Sequence, residues 1–107
     1  MFSWDDLAVF VALHRERTTT RAAAALGISQ PTVVRRLAAL EQALGLTLFE
    51  RTAAGLVPTA EANKLVDAAV AVERAICGFE AEVNLLTGEG ATLIRLTLLD
   101  HFESLLV

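Results

Sequence analysis

Between Leu65 and Leu86 one apolar stripe settles most of what this chain can become. Leu65, Ala69, Val72, Ile76, Phe79, Val83 and Leu86 recur at spacings of 4, 3, 4, 3, 4 and 3. A heptad pattern held for three heptads belongs to a helix that pairs lengthwise with another. Thr59 stands where a cap is needed and Glu61 falls in the first turn. The helix is therefore predicted from Thr59 to Thr87, ~43 Å at the usual rise per residue. The 58 residues before it are too few to bury a stripe of that length. Packing on the first helix of the same chain is the competing reading, and length weighs against it. A homodimer seamed by these seven residues is expected.

Composition narrows the class. A chain of 107 residues, 54% apolar and without low-complexity tracts, has room for one domain and a helical extension. The pattern is that of a soluble, Ala- and Leu-rich helical protein. Its longest charge-free run, Ala22 to Val34, includes Gly27, Gln30 and Pro31 and falls short of the ~20 apolar residues of a membrane span. Asp5 and Asp6 stand where a signal peptide is basic, so a cytoplasmic location is expected. Cys77, the single cysteine, fits a reducing compartment, excludes an intrachain disulfide and reads as an ordinary thiol beside the stripe. The net charge of −4 is unevenly placed. Met1 to Ala60 holds Arg15, Arg17, Arg21, Arg35, Arg36 and Arg51 against five acids, net +1; the remainder holds three bases against eight acids. A DNA-contacting head on an acidic support has this asymmetry, although the head is only weakly basic.

Local signals divide the head. Ser3 to about Glu16 reads as a first helix, with Ser3 and Asp6 as a capping box and Leu7, Phe10, Val11 and His14 on its buried face. Thr18, Thr19 and Thr20 interrupt it, and a short second helix is expected from Arg21 to Leu26, stopped by Gly27. Ser29 caps a third helix that tolerates Pro31 in its first turn and ends at Gly45. Val33, Leu37, Leu40 and Leu44 mark its core side. Pro31, Thr32, Arg35, Ala39 and Gln42 lie opposite, with Arg36 flanking them. Leu46 to Arg51 and Leu56 to Pro58, around a turn at Thr52 to Gly55, predict a small hairpin wing. After Thr87 a glycine-bearing hinge precedes Ala91 to Leu99, a nearly continuous apolar run expected to be a strand. Asp100 to Val107 reads as a loop or helix. One strand cannot fold alone, so residues 88–107 are expected to open a second domain, after a head over 1–58 and a linker helix over 59–87. The fold expected is mainly α, a winged helix-turn-helix followed by a long dimerisation helix.

A short helix, a glycine turn and a second helix from Thr20 to Leu44 have the helix-turn-helix layout. The residues Arg21-Ala22-Ala23, Leu26, Ser29-Gln30-Pro31, Arg35, Leu40-Glu41, Leu44-Gly45, Leu48-Phe49, Arg51 and Thr59 occur in order and in register. By these the chain resembles the N-terminal domain of the LysR-type transcriptional regulators. The resemblance implies an operator-binding dimer, tetrameric assembly being compatible with a full-length protein. Residues 29–44 would be the recognition helix. It places Ser29, Gln30, Pro31, Thr32 and Arg35 toward bases and phosphates, with Arg36 beside them. Thr20 and Arg21 would meet the DNA backbone and Arg51 would lie on the wing. No cofactor is implied for this chain, since a small-molecule inducer would bind an effector domain beyond it. The chain departs from the family pattern at Val34 (commonly Ser), Thr19 (an aromatic), Ala53-Ala54 (a basic wing tip) and Ala62 (a glycine), and the lost hydroxyl and cations predict modest affinity.

Several residues admit other readings. Gln30 can pair bidentately with adenine or touch phosphate alone, and Arg51 can pair with an acid inside the head. His14 reads as a half-buried helix residue. His101 with Asp100 and Ser104 lacks triad geometry and an oxyanion-hole loop. There is no phosphate-binding glycine loop and no Cys/His metal cluster, so an enzyme is not expected. Two rivals stand beside the LysR reading: a molybdate-type regulator with a similar head, and an interaction module that kept the fold and lost DNA binding.

Overall fold

The computed structural model describes residues 2–88. The expected hinge beyond Gly88, the strand from Ala91 to Leu99 and the segment from Asp100 to Val107, with His101, lie outside the described residues. Four helices and one hairpin follow in chain order: α1 (Trp4–Glu16), α2 (Thr19–Leu26), α3 (Gln30–Leu44), β1 (Phe49–Thr52), β2 (Gly55–Pro58) and α4 (Ala60–Thr87). They form a winged helix-turn-helix with a long C-terminal helix, the architecture expected.

Helix α1 is the hub. Its capping box is complete, the Ser3 hydroxyl accepting from the Asp6 N–H at 3.4 Å and the Asp6 carboxylate from the Ser3 N–H at 3.2 Å. Val9, Phe10, Val11, Ala12 and Leu13 are all buried in succession, whereas Leu7 and His14 are half-buried. A single amphipathic face is thus the wrong picture of this helix. The mid-section of α1 is enclosed because α2, α3, α4 and β2 all pack on it. Phe10 meets Phe49 of the wing edge to face, with ring centroids 6.0 Å apart.

α2 starts two residues before the expected Arg21, because the Thr18 hydroxyl caps it by accepting from the Arg21 N–H at 3.1 Å. Gly27 ends it in the left-handed conformation, φ 69°. Ser29 caps α3 by accepting from the Thr32 N–H at 3.3 Å. Val33 and Leu40 are wholly buried and Leu37 half-buried. Leu44, expected in the core, is 36% exposed, since the last turn of α3 overhangs the core and borders a groove beside α4.

The hairpin pairs Phe49 with Pro58 through to Thr52 with Gly55. It begins later than the expected Leu46, because Glu41 takes the preceding donors. Its carboxylate accepts from the Leu48 N–H at 2.7 Å and the Phe49 N–H at 3.4 Å. Thr59 closes the other end: its N–H donates to the Leu48 carbonyl at 2.9 Å, its hydroxyl donates to the Thr47 carbonyl at 2.7 Å, and that hydroxyl caps α4 through the Ala62 N–H at 3.2 Å. Glu41→Ala would leave two partly buried donors without their charged acceptor, and bonds to charged groups contribute about 1.5–3 kcal/mol. The expected result is a loss of about 2 kcal/mol in urea unfolding. A change within a few tenths would remove Glu41 as the wing's anchor.

The near half of α4 packs on the chain's own head. Ala62 and Ala69 are buried, and Val66 and Val70 pack against the core. The His14 Nε2–H donates to the Asn63 amide oxygen at 2.9 Å, and Arg15 lies 3.9 Å from Glu73. Ala69, expected in the dimer seam, is only 4% exposed in the single chain and belongs to this core. Of the stripe residues in this near half, the intrachain packing takes Ala69, while Leu65 remains 36% exposed. Beyond Val70, Val72, Phe79 and Leu86 are exposed, Phe79 at 52% and Leu86 at 86%, with Ile76 and Val83 half-buried between them.

Candidate nucleic-acid interface

The side of α3 away from Val33 and Leu40 is free. Ser29, Gln30, Pro31, Arg35, Ala39 and Gln42 are exposed and Thr32 is half-buried, its hydroxyl 2.8 Å from that of Ser29. Val34 is exposed at 45%, one helical turn after Gln30. It counts as more than a missing hydroxyl there, since an exposed apolar side chain can meet a thymine methyl group.

The head's six arginines fall into two groups. Arg36, Arg15 and Arg17 are committed to the protein. Arg36 lies 3.5 Å from Asp5 and 3.6 Å from Asp6, so it turns from the recognition face toward the start of α1. Expected to flank the DNA-facing residues, it here ties α3 to α1. Arg15 reaches Glu73, and the Arg17 Nε–H donates to the His14 carbonyl. Arg21, Arg35 and Arg51 are exposed and, among the described residues, their side chains have neither an ion pair nor a hydrogen bond. They stand on α2, α3 and the wing. The alternative of Arg51 paired with an acid of the head is therefore not what the described residues show. A net charge of +1 hides this, because Asp5 and Asp6 are both spent on Arg36 and Glu41 on the wing backbone.

Gln30 is held. Its Nε2–H donates to the Thr20 hydroxyl at 2.7 Å, and the Thr19 hydroxyl donates to its Oε1 at 3.4 Å. The first residue of α3 is thereby joined to the first turn of α2. Sequence reasoning missed this link, as it missed Glu41 under the wing. A long-range polar pair leaves no local signature, although the Thr19-Thr20 pair facing a helix-start amide was visible once the helix-turn-helix layout was read.

Residues 4–63 match the profile described as "Bacterial regulatory helix-turn-helix protein, lysR family". The chain belongs to the LysR family. Over 59 residues it is 48% identical to the HTH-type transcriptional regulator AbaB of Streptomyces antibioticus, covering 55% of this chain and 20% of that protein. A putative transcriptional regulator of Pseudomonas aeruginosa is 34% identical over 106 residues, covering 96% of the chain and 34% of the relative. The chain thus spans about a third or less of the length of these two relatives. Its fold superposes on the BenM DNA-binding domain in complex with catB site 1 DNA with a TM-score of 0.75 and 26% identity, covering 82% of this chain and 99% of that one. The family is one of bacterial regulatory proteins. Among the described residues there is no group of side chains able to hold a metal ion, and no helix is long and apolar enough to cross a membrane.

Proposed function

We propose that this chain is the operator-binding head and linker of a cytoplasmic, nucleoid-associated transcriptional regulator that acts on double-stranded DNA as a homodimer. The observation that carries the reading is the uncommitted guanidinium set of Arg21, Arg35 and Arg51, beside an exposed α3 start, on a fold shared with a domain solved on DNA. Arg21, Arg51 and the Thr20 hydroxyl are assigned to phosphates, which fix register. Ser29, Gln30, Pro31, Thr32 and Arg35 are assigned to the major groove, with Val34 against a thymine methyl group. The half of α4 that the head leaves uncovered supplies the dimer seam, through Val72, Ile76, Phe79, Val83 and Leu86. Leu65 contributes from the apolar groove it forms with Phe2, Leu7 and Leu44. An antiparallel pair of such helices sets the heads at opposite ends, which suits an operator with dyad character. An inducer would act on a domain outside this chain.

Binding to random duplex DNA across a salt series tests the reading. Three or four phosphate contacts per protomer give a slope of log affinity on log salt of about −6 for the dimer. Arg35→Ala is expected to weaken binding at every salt concentration. As a base contact its loss should leave the slope nearly unchanged, whereas Arg51→Ala, which neutralises one phosphate fewer in each protomer, should shallow it by about 2. No binding at low salt with the dimer intact would favour an interaction module, the alternative that Val34 and the uncharged wing tip at Ala53-Ala54 support.

A further inference from the structure

We propose that Thr20 and Thr19 are positioning residues for base reading, a two-point grip that fixes the Gln30 amide and makes it selective for adenine. The proposal rests on the DNA-reading role given to α3 and says how one of its residues discriminates. Gln30 opens α3 with an exposed side chain. A free glutamine of this kind rotates about three torsions and can satisfy one hydrogen bond on almost any base edge. Bidentate pairing with adenine is more demanding, because donor and acceptor must both lie in the plane of the base. The 2.7 Å bond from Gln30 Nε2 to the Thr20 hydroxyl and the 3.4 Å bond from the Thr19 hydroxyl to Gln30 Oε1 hold both ends of the amide. An amide nitrogen has two N–H groups and an amide oxygen two lone pairs. After the grip one donor and one acceptor remain, the set that adenine N7 and N6 complement.

The shorter bond has a second consequence. When Thr20 accepts from Gln30, its own O–H is left to donate, and Thr20 sits on the first turn of α2, where a phosphate contact is assigned. The hydroxyl therefore joins backbone positioning to base reading, so that a duplex seated in register meets an amide already oriented. Preorganisation of this kind lowers the ordering cost of the correct contact and gives no help to a base that pairs with only one end. The grip also belongs to this chain in particular, since Thr19 stands where the family pattern commonly has an aromatic.

The test is selection from a randomised duplex library with the unaltered chain and with Thr20→Val, Thr20→Ser, Gln30→Ala and the double variant Thr20→Val/Gln30→Ala. Helix content by circular dichroism confirms that each is folded. The unaltered chain should enrich one adenine position per half-site by about ten-fold over other bases. Thr20→Val should reduce that preference to about three-fold or less, the worth of one neutral hydrogen bond, and Thr20→Ser should restore it. In the Gln30→Ala background Thr20→Val should change overall affinity alone. An unchanged preference in Thr20→Val, or an equal loss of preference with and without Gln30, would overturn the grip. If the unaltered chain enriches no motif at all, the DNA-reading role itself fails and the grip with it. That outcome is distinct from one in which the motif persists in Thr20→Val.

Discussion

Gly55→Ala should cost the head about 3 kcal/mol, seen as a large fall in the urea midpoint at fixed protein concentration. Gly55 opens β2 with φ 123°, and a Cβ built there would lie 2.8 Å from the carbonyl oxygen of Arg17. That atom is backbone, so no rotamer change relieves the contact. The same carbonyl accepts the Leu56 N–H at 2.8 Å, the bond that holds the wing to the end of α1. Arg17 is itself left-handed at φ 70°, which aims its carbonyl at the hairpin. Alanine must therefore bear a rare backbone conformation, costing about 1–3 kcal/mol, and also push away the acceptor of a bond worth about 1 kcal/mol net. Gly27→Ala is the control. Its φ is 69°, but nothing stands within 4 Å of the added carbon, so only the left-handed penalty of about 1 kcal/mol applies. Equal losses in the two variants would show that the close approach of wing to α1 has no energetic weight.

What the sequence disclosed follows the range of the interactions. Helix ends were legible because caps are local: Ser3, Ser29 and Thr59 each reach a backbone N–H three residues on, and Gly27 and Gly45 supply left-handed stops. The start of α2 was misplaced by two residues because any of three consecutive threonines can cap, and only the fold selects Thr18. The enclosure of α1 was hidden, since a helix covered on every side shows less periodicity than one with a wet face. The stripe on α4 was read correctly as a pattern, but one repeat cannot say which of its members meets the chain's own head. Small size suits Ala69 to the close approach of α1. Arg36 looked free by angle alone; its acids, Asp5 and Asp6, are about thirty residues away along the chain and a few ångströms away in space. Electrostatic commitments of this kind decide which arginines remain unpaired, and they are settled by tertiary packing. The residue types on the exposed side of α3 were therefore legible, while the charge left unpaired on the head was not.

Phe79→Asp should convert the chain to a monomer and remove most of its affinity for an operator, the largest functional effect expected of one substitution. Phe79 lies in the uncovered half of α4 at 52% exposure, beyond Ala69 and Val70, the last of its residues packed into the core of the head. The head's own unfolding should therefore change little. In a twofold pair each substitution acts twice. Burying a phenylalanine contributes about 1.5–3 kcal/mol, so removing two such side chains alone weakens association by about 3–6 kcal/mol, or two to four decades. Two carboxylates facing an apolar seam add a desolvation cost. Once the heads separate, the second half-site is no longer bound at a high effective concentration, and avidity of about 10²–10⁴ disappears. Salt dependence separates this from damage to the DNA surface. A monomer seated on one half-site neutralises half as many phosphates, so the slope should fall from about −6 to about −3. A head with a spoiled surface on an intact dimer would bind more weakly without halving the slope so neatly. Sedimentation at micromolar concentration gives the direct reading. A Phe79→Asp chain that remained dimeric, with an unaltered salt slope, would take the seam away from the far half of α4. It would leave the groove lined by Leu7, Leu44 and Leu65 as the surface that a second copy covers.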